Sequence, residues 1–228
     1  MWSVGVAGLL SALAADGSLR IIGFARAPRR YFAIALGLPV AYCGVIYLPC
    51  WIMGFASFKG MPTLLYGLAA TMVHFPAGLA MATGEEIGWR GLFAPLSARL
   101  LGPVSAGLVG GAAWAAWHYV DIVYFGYNGG VTWPYAMFCF TCSVTGMALF
   151  LTWLRLASGS VWPPALFHGA HNSIIYGIFD RATVVGSSTG YITGEFGAGL
   201  VLASTIIGAL SWRLLRRSVV SRSIRLYV

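Results

Sequence analysis

Glu85 and Glu86 stand next to each other in Gly84-Glu85-Glu86-Ile87-Gly88-Trp89-Arg90-Gly91, within a chain of 228 residues that has only six acidic side chains. Long apolar stretches lie on both sides. A charged group at the centre of a bilayer costs roughly 2.5–3.5 kcal/mol on insertion scales, so an ionisable residue that persists there is a functional candidate by default. On a helix, Glu86 and Arg90 are four residues apart and share a face, which allows an ion pair, while Glu85 points about 100° away. One carboxylate is thereby held and the other is left freer to act.

Two further polar groups have helical spacing. Trp114 and His118 share a face across two alanines, and His168 shares one with Asn172. Trp162-Pro163-Pro164 precedes the last pair, and proline is well tolerated in the first turn of a helix. A single core histidine in a soluble protein is most often a hydrogen-bonded packing residue. In lipid it must find a partner, which weakens that bland reading, and the combination of Glu85, Glu86, His118, His168 and Asn172 argues for chemistry. His74, just before Phe75-Pro76, has no partner at a helical spacing and reads as packing or a helix bend. Asp121 and Asp180 fall at helix ends and read as solvated. Trp117 reads as an interfacial or packing aromatic. Cys43, Cys50, Cys139 and Cys142 read as small apolar packing groups with no disulfide required.

The elements that must position these residues are membrane helices. The chain is 59% hydrophobic and 9% charged, with mean hydropathy +0.80. A soluble domain carries about 25% charged residues. The formal charge of +8 resides almost wholly in arginine, Lys59 being the only lysine, and it collects at helix ends instead of forming a stripe. That distribution excludes a nucleic-acid surface and fits topology determinants and lipid head-group contacts. Expected spans cover about 31–56, 63–83, 104–121, 134–154, 160–179 and 192–213. Arg20, Arg26, Arg29 and Arg30 precede the first; Arg213, Arg216, Arg217, Arg222 and Arg225 follow the last. Arg99 falls in a connection at 94–103 and Arg155 in one at 155–159. The intervening loops carry Lys59, then Asp121 without a base, then Asp180 balanced by Arg181. The positive-inside rule puts both ends and the Arg99 and Arg155 loops in the cytoplasm. Met1–Ala15 lacks the basic region of a signal peptide and would reach only about 22 Å, so it is an interfacial helix or a short tilted span. The expected fold is all-α: a polytopic membrane bundle of six transmembrane helices, seven if Met1–Ala15 spans, around a polar intramembrane cavity. No internal repeat is evident, and 1–228 reads as one membrane domain, with a basic segment at 1–30 and a basic cytoplasmic tail at 214–228.

With these residues in place, the chain resembles the CAAX-protease and bacteriocin-processing (CPBP, or Abi) intramembrane endopeptidases. Their pattern is E-E-x-x-x-R, then F-x-x-x-H, then H-x-x-x-N, each on its own helix. Glu85-Glu86-x-x-x-Arg90 and His168-x-x-x-Asn172 match fully; Trp114-x-x-x-His118 matches except that Trp replaces Phe. The resemblance covers about 65–180. It implies hydrolysis of a peptide bond in a membrane-associated protein or peptide. In that reading Glu85 deprotonates a water, His118 helps to position or polarise it, and His168 with Asn172 donates hydrogen bonds to the tetrahedral oxyanion; Glu86 with Arg90 holds the geometry and tunes Glu85. The family is often labelled metalloprotease, and Glu85, His118 and His168 could form a zinc set. No H-E-x-x-H is present, and a mechanism without a protein-bound metal is favoured.

Shared chemistry requires that the second span continue past residue 83 through Arg90, or that 84–98 re-enter, because otherwise Glu85 and His118 lie at different depths. Two rival classes remain: a proton-coupled transporter, disfavoured by the absent inverted repeat, and a non-enzymatic immunity or adaptor protein. The expected partners are the bilayer and a membrane-associated substrate, with no nucleic acid. The expected location is a prokaryotic inner or plasma membrane, C-terminus cytoplasmic.

Overall fold

A computed structural model describes residues 1–184, 186 and 188–225, with side chains as far as Arg217. The side chains of Arg222 and Arg225 therefore lie outside the described residues. Nine α-helices are described: α1 (Trp2–Asp16), α2 (Arg29–Ile52), α3 (Met61–Glu86), α4 (Ala94–Leu101), α5 (Pro103–Tyr124), α6 (Trp133–Ser158), α7 (Trp162–Ile174), α8 (Thr189–Ile192) and α9 (Ala198–Arg225). Two π-helical segments, Ile87–Phe93 and Ile175–Asp180, extend α3 and α7. The only extended pairing among the described residues is an isolated bridge between Phe58 and Thr183.

Four helical runs are long and apolar enough to cross a membrane: Arg29–Ile52, Met61–Leu101, Trp133–Ser158 and Ala198–Arg217. The other expected spans, 104–121 and 160–179, are helical as α5 and α7 with its π segment, but fall outside that set. Met61–Leu101 is one run of 41 residues. The second span thus continues through Glu85 and Arg90 by way of the π segment and α4, and the 94–103 connection expected around Arg99 is mostly helix. The last span starts at Ala198, not 192, because Thr193–Gly197 stays irregular after the single turn of α8.

Helix boundaries follow local chemistry. Proline occupies the first turn of α3, α5, α6 and α7, where its missing N–H would have been unpaired anyway. Gly159 ends α6 in the left-handed region, its N–H bonded to the Arg155 carbonyl. Arg155 itself is not in a loop. It is a buried residue of the last turn of α6, and its Nη2 donates to the Ile21 carbonyl at 2.7 Å, fastening the short 3₁₀ turn Arg20–Ile22 beneath the bundle.

In lipid, the hydrophobic effect gives helices little reason to associate, so close backbone packing must supply the attraction. Glycine provides it here. A Cβ on Gly146 of α6 would stand 2.4 Å from the Ser204 carbonyl of α9. A Cβ on Gly5 of α1 would stand 2.3 Å from the Gly84 carbonyl, and one on Gly8 would stand 2.9 Å from the Gly88 Cα. α1 therefore packs along α3 and its π segment, laid against the glutamate run. The outward faces of α2 and α3 expose Val45, Ile52, Leu65, Met72 and Val73, the surface expected of helices in contact with acyl chains. His74 lies on that exposed face and makes no core packing. Cys43, Cys50 and Cys139 are buried, and all four thiols are free.

Candidate active site

Glu85 is 2% exposed and Glu86 fully buried. The π segment starts one residue later. Its wider turn rotates the residues beyond it, and such segments are frequent at functional sites. Glu86 Oε1 accepts from Arg90 Nη1 at 2.9 Å and faces His168 Nδ1 at 3.0 Å. Burying an ion pair in lipid is tolerable only when geometry and extra hydrogen bonds are good. The Arg90 guanidinium adds such a contact by lying 4.2 Å above the Trp114 ring.

Glu85 takes the other direction. Its Oε2 accepts from Trp114 Nε1 at 3.0 Å. Trp114 is the tryptophan found where the family pattern has phenylalanine, and its indole N–H gives it a role that phenylalanine cannot fill. It also sits edge-on to His168, with ring centroids 5.2 Å apart, and its carbonyl pairs with His118 Nδ1 at 3.0 Å. A carbonyl can only accept, so Nδ1 of His118 carries the hydrogen. Glu86 Oε1, already accepting from Arg90, gives His168 the same tautomer. With the hydrogen on Nδ1, the neutral form of each ring presents a bare Nε2 to the cavity.

Glu85, Trp114, His118, His168 and Asn172 line one cavity of about 80 Å³. Four of the six expected site residues are therefore cavity wall, brought there by α3, α5 and α7. Glu86 and Arg90 stand behind it as support. Its apolar wall includes Phe140, Met147 and Phe167. Among the described residues no three His, Cys, Asp or Glu side chains gather so as to hold a metal ion. Glu85, His118 and His168, the candidate zinc set, each make one hydrogen bond within the protein, through Oε2 and the two Nδ1 atoms, which leaves Oε1 and both Nε2 atoms unengaged; no step is derived through a metal.

The cavity also has residues that spacing did not single out. His171, Tyr127 and Glu195 line it as well. Glu195 is 8% exposed, and its Oε2 accepts hydrogen bonds from the hydroxyls of Tyr127 and Tyr176. His171 Nδ1 pairs with the Tyr42 hydroxyl. The signal available in the sequence was an acidic residue inside the expected span 192–213. The irregular segment that carries Glu195 gives it no helical partner spacing. Burial, then the Glu195 carboxylate, pushes the Tyr127 phenol well above its usual range, so it remains a donor. Asp180 is not simply solvated: the Tyr47 hydroxyl donates to it at 2.5 Å, and burial pushes its carboxyl up to about 6. Asp121 is exposed, as expected.

Residues 62–174 match the family model described as Type II CAAX prenyl endopeptidase Rce1-like, about half of the chain. The matched stretch contains all three motifs, from Glu85 to Asn172. The chain belongs to the CPBP family, and it is an integral membrane protein of a protease family. No curated protein matches the chain.

Proposed function

We propose that the protein hydrolyses a peptide bond of a membrane-associated protein or peptide, with Glu85 as the base that activates water. The observation that carries this reading is the shared cavity of Glu85, His118, His168 and Asn172, assembled from three helices. Glu85, oriented by the Trp114 N–H, takes a proton from a water whose other hydrogen is held by the bare Nε2 of His118. The oxygen attacks the scissile carbonyl. The Asn172 amide donates to the resulting oxyanion, and His168 adds a second donor when its Nε2 is protonated, a form for which Glu86 supplies the counter-charge. Collapse expels the amine, which takes the proton from Glu85. Glu86 and Arg90 fix the tautomer and orientation of His168, the part a carboxylate plays beneath a catalytic histidine. The loops with excess arginine would face the cytoplasm, with the C-terminus on that side.

The test is cleavage of a membrane-peptide library by protein in lipid nanodiscs, with products sequenced. Glu85→Gln is expected to lower turnover by about 10²–10⁴-fold while the melting temperature stays near that of the parent. Full activity in that variant removes Glu85 as the base. Proton-coupled solute flux in liposomes, without cleavage, would establish the transporter class instead.

A further inference from the structure

Glu195 belongs to two cavities. It closes one end of the Glu85 cavity and also lines a second cavity of about 160 Å³ with Tyr176, Asp180, Thr183, Thr193 and Phe196. A single water needs only about 10–15 Å³ of such space, so the second cavity holds considerably more than one. Among the described residues no Lys or Arg lines either cavity, and Met1, with the terminal amine, lines the Glu85 cavity. Glu195 Oε2 accepts from the two phenols, whereas Oε1 has no hydrogen-bond donor among the described residues; His171 Nε2 stands 4.0 Å from it. A carboxylate as buried as Glu195, with one oxygen unpaired, is costly unless something pairs with it. The group is also held in place. Tyr127 from the loop after α5 and Tyr176 from the second π segment fix one oxygen and leave the other presented. Next to it, Gly194 N–H donates to the Tyr47 hydroxyl at 2.9 Å, and that hydroxyl donates to Asp180.

We propose that this end of the cavity is a subsite for a cationic group of the substrate, an amine or guanidinium, seated on Glu195 Oε1 and reaching toward Asp180, while the peptide bond lies at Glu85. The inference rests on the protease reading, whose cavity it extends. An ammonium or guanidinium supplies the N–H donors that Oε1 lacks, and charge-assisted bonds of this kind are the strong ones. It also brings a positive charge, which the described lining of the second cavity lacks. A substrate with an acidic side chain at the same position would place like charges together.

The experiment uses full-length protein in nanodiscs and membrane peptides carrying a single Lys, norleucine or Glu at each position in turn. Binding is read on the Glu85→Gln protein and cleavage on the parent. At one position, Lys is expected to bind at least about tenfold more tightly than norleucine, as loss of a charge-assisted bond implies. That ratio should fall toward one when Glu195→Gln is added, and persist with Glu195→Asp. A photoreactive lysine at the preferred position should crosslink to residues 189–196, a readout that does not depend on any Glu195 variant folding. A ratio near one in the presence of Glu195, a ratio unchanged in Glu195→Gln, or crosslinks confined to other segments would overturn the subsite. Cleavage with no charge preference sinks this inference alone. Charge-selective binding with no cleavage sinks the protease reading instead.

Discussion

At the scale of single residues, the two adjacent glutamates have different partners and therefore different work. Glu86 is tied to Arg90 and His168, and Glu85 to Trp114. Trp114 is the residue on which most of these contacts meet, since it touches Glu85, Arg90 and His168 and holds His118 through its carbonyl. Trp114→Phe keeps an aromatic ring at this position but removes the indole N–H along with the rest of the pyrrole ring. A hydrogen bond to a charged acceptor is worth about 1.5–3 kcal/mol, so kcat is expected to drop roughly 10- to 100-fold with KM nearly unchanged. Steady-state kinetics on the purified variant, alongside its melting curve, measures this. Equal kcat in parent and variant would show that the indole bond does not orient the base. The motif spacing made Glu85, Glu86, Arg90, His118, His168 and Asn172 legible, because helical periodicity fixes which residues share a face. It left Trp114 as an aromatic without an assigned partner and passed over Glu195, whose partners are 19 and 68 positions away in the chain.

At the scale of elements, the decisive features are the π segment after Glu86 and the helix laid upon it. Periodicity presupposes 3.6 residues per turn, so a segment of wider turn is invisible to it. A site shared by Glu85 and His118 did require that the helix run past residue 83, and it does so as one run to Leu101. α1 was ambiguous from its length alone. In the fold it lies along α3, with Gly5 on Gly84 and Gly8 on Gly88. A Cβ at Gly88 would come within 2.5 Å of the Val4 carbonyl oxygen, a backbone atom that cannot turn aside. Gly88→Ala is therefore expected to destabilise the protein by about 1–3 kcal/mol, the usual cost of overpacking. Activity should fall too, as α1 lifts from the glutamates. Thermal unfolding in nanodiscs checks the first effect, and protease accessibility of residues 1–16 checks the second. An unchanged melting temperature would mean that α1 does not depend on this seam.

For the molecule as a whole, a polar cavity is enclosed in a shell that exposes Leu, Ile, Val and Met outward. Lipid can solvate that shell but not Glu85 or Glu195, so the carboxylates must be satisfied from within. Among the described residues no three His, Cys, Asp or Glu side chains gather to hold a metal ion, and turnover is expected to survive exhaustive chelation. Metal analysis with activity measured before and after chelation tests this. Stoichiometric zinc required for turnover would replace the water-activation scheme. The charge pattern was an imperfect guide to the interior: Arg155, counted as a loop charge, is buried and caps Ile21, because its long side chain could reach a carbonyl 134 positions away.

The sequence by itself determined the class of molecule and the motif residues. Hydropathy dictates burial in lipid, and spacings of four dictate shared helix faces, both of which are local properties of the chain. Tertiary structure alone decided which atoms meet. The choice of Trp114 as the partner of Glu85, the tautomers of His118 and His168, and the arrival of Glu195 at the far wall all depend on helices brought together from distant positions. No local rule encodes such contacts, since they are set by how closely glycine-lined helices approach and by where the two π segments turn their residues.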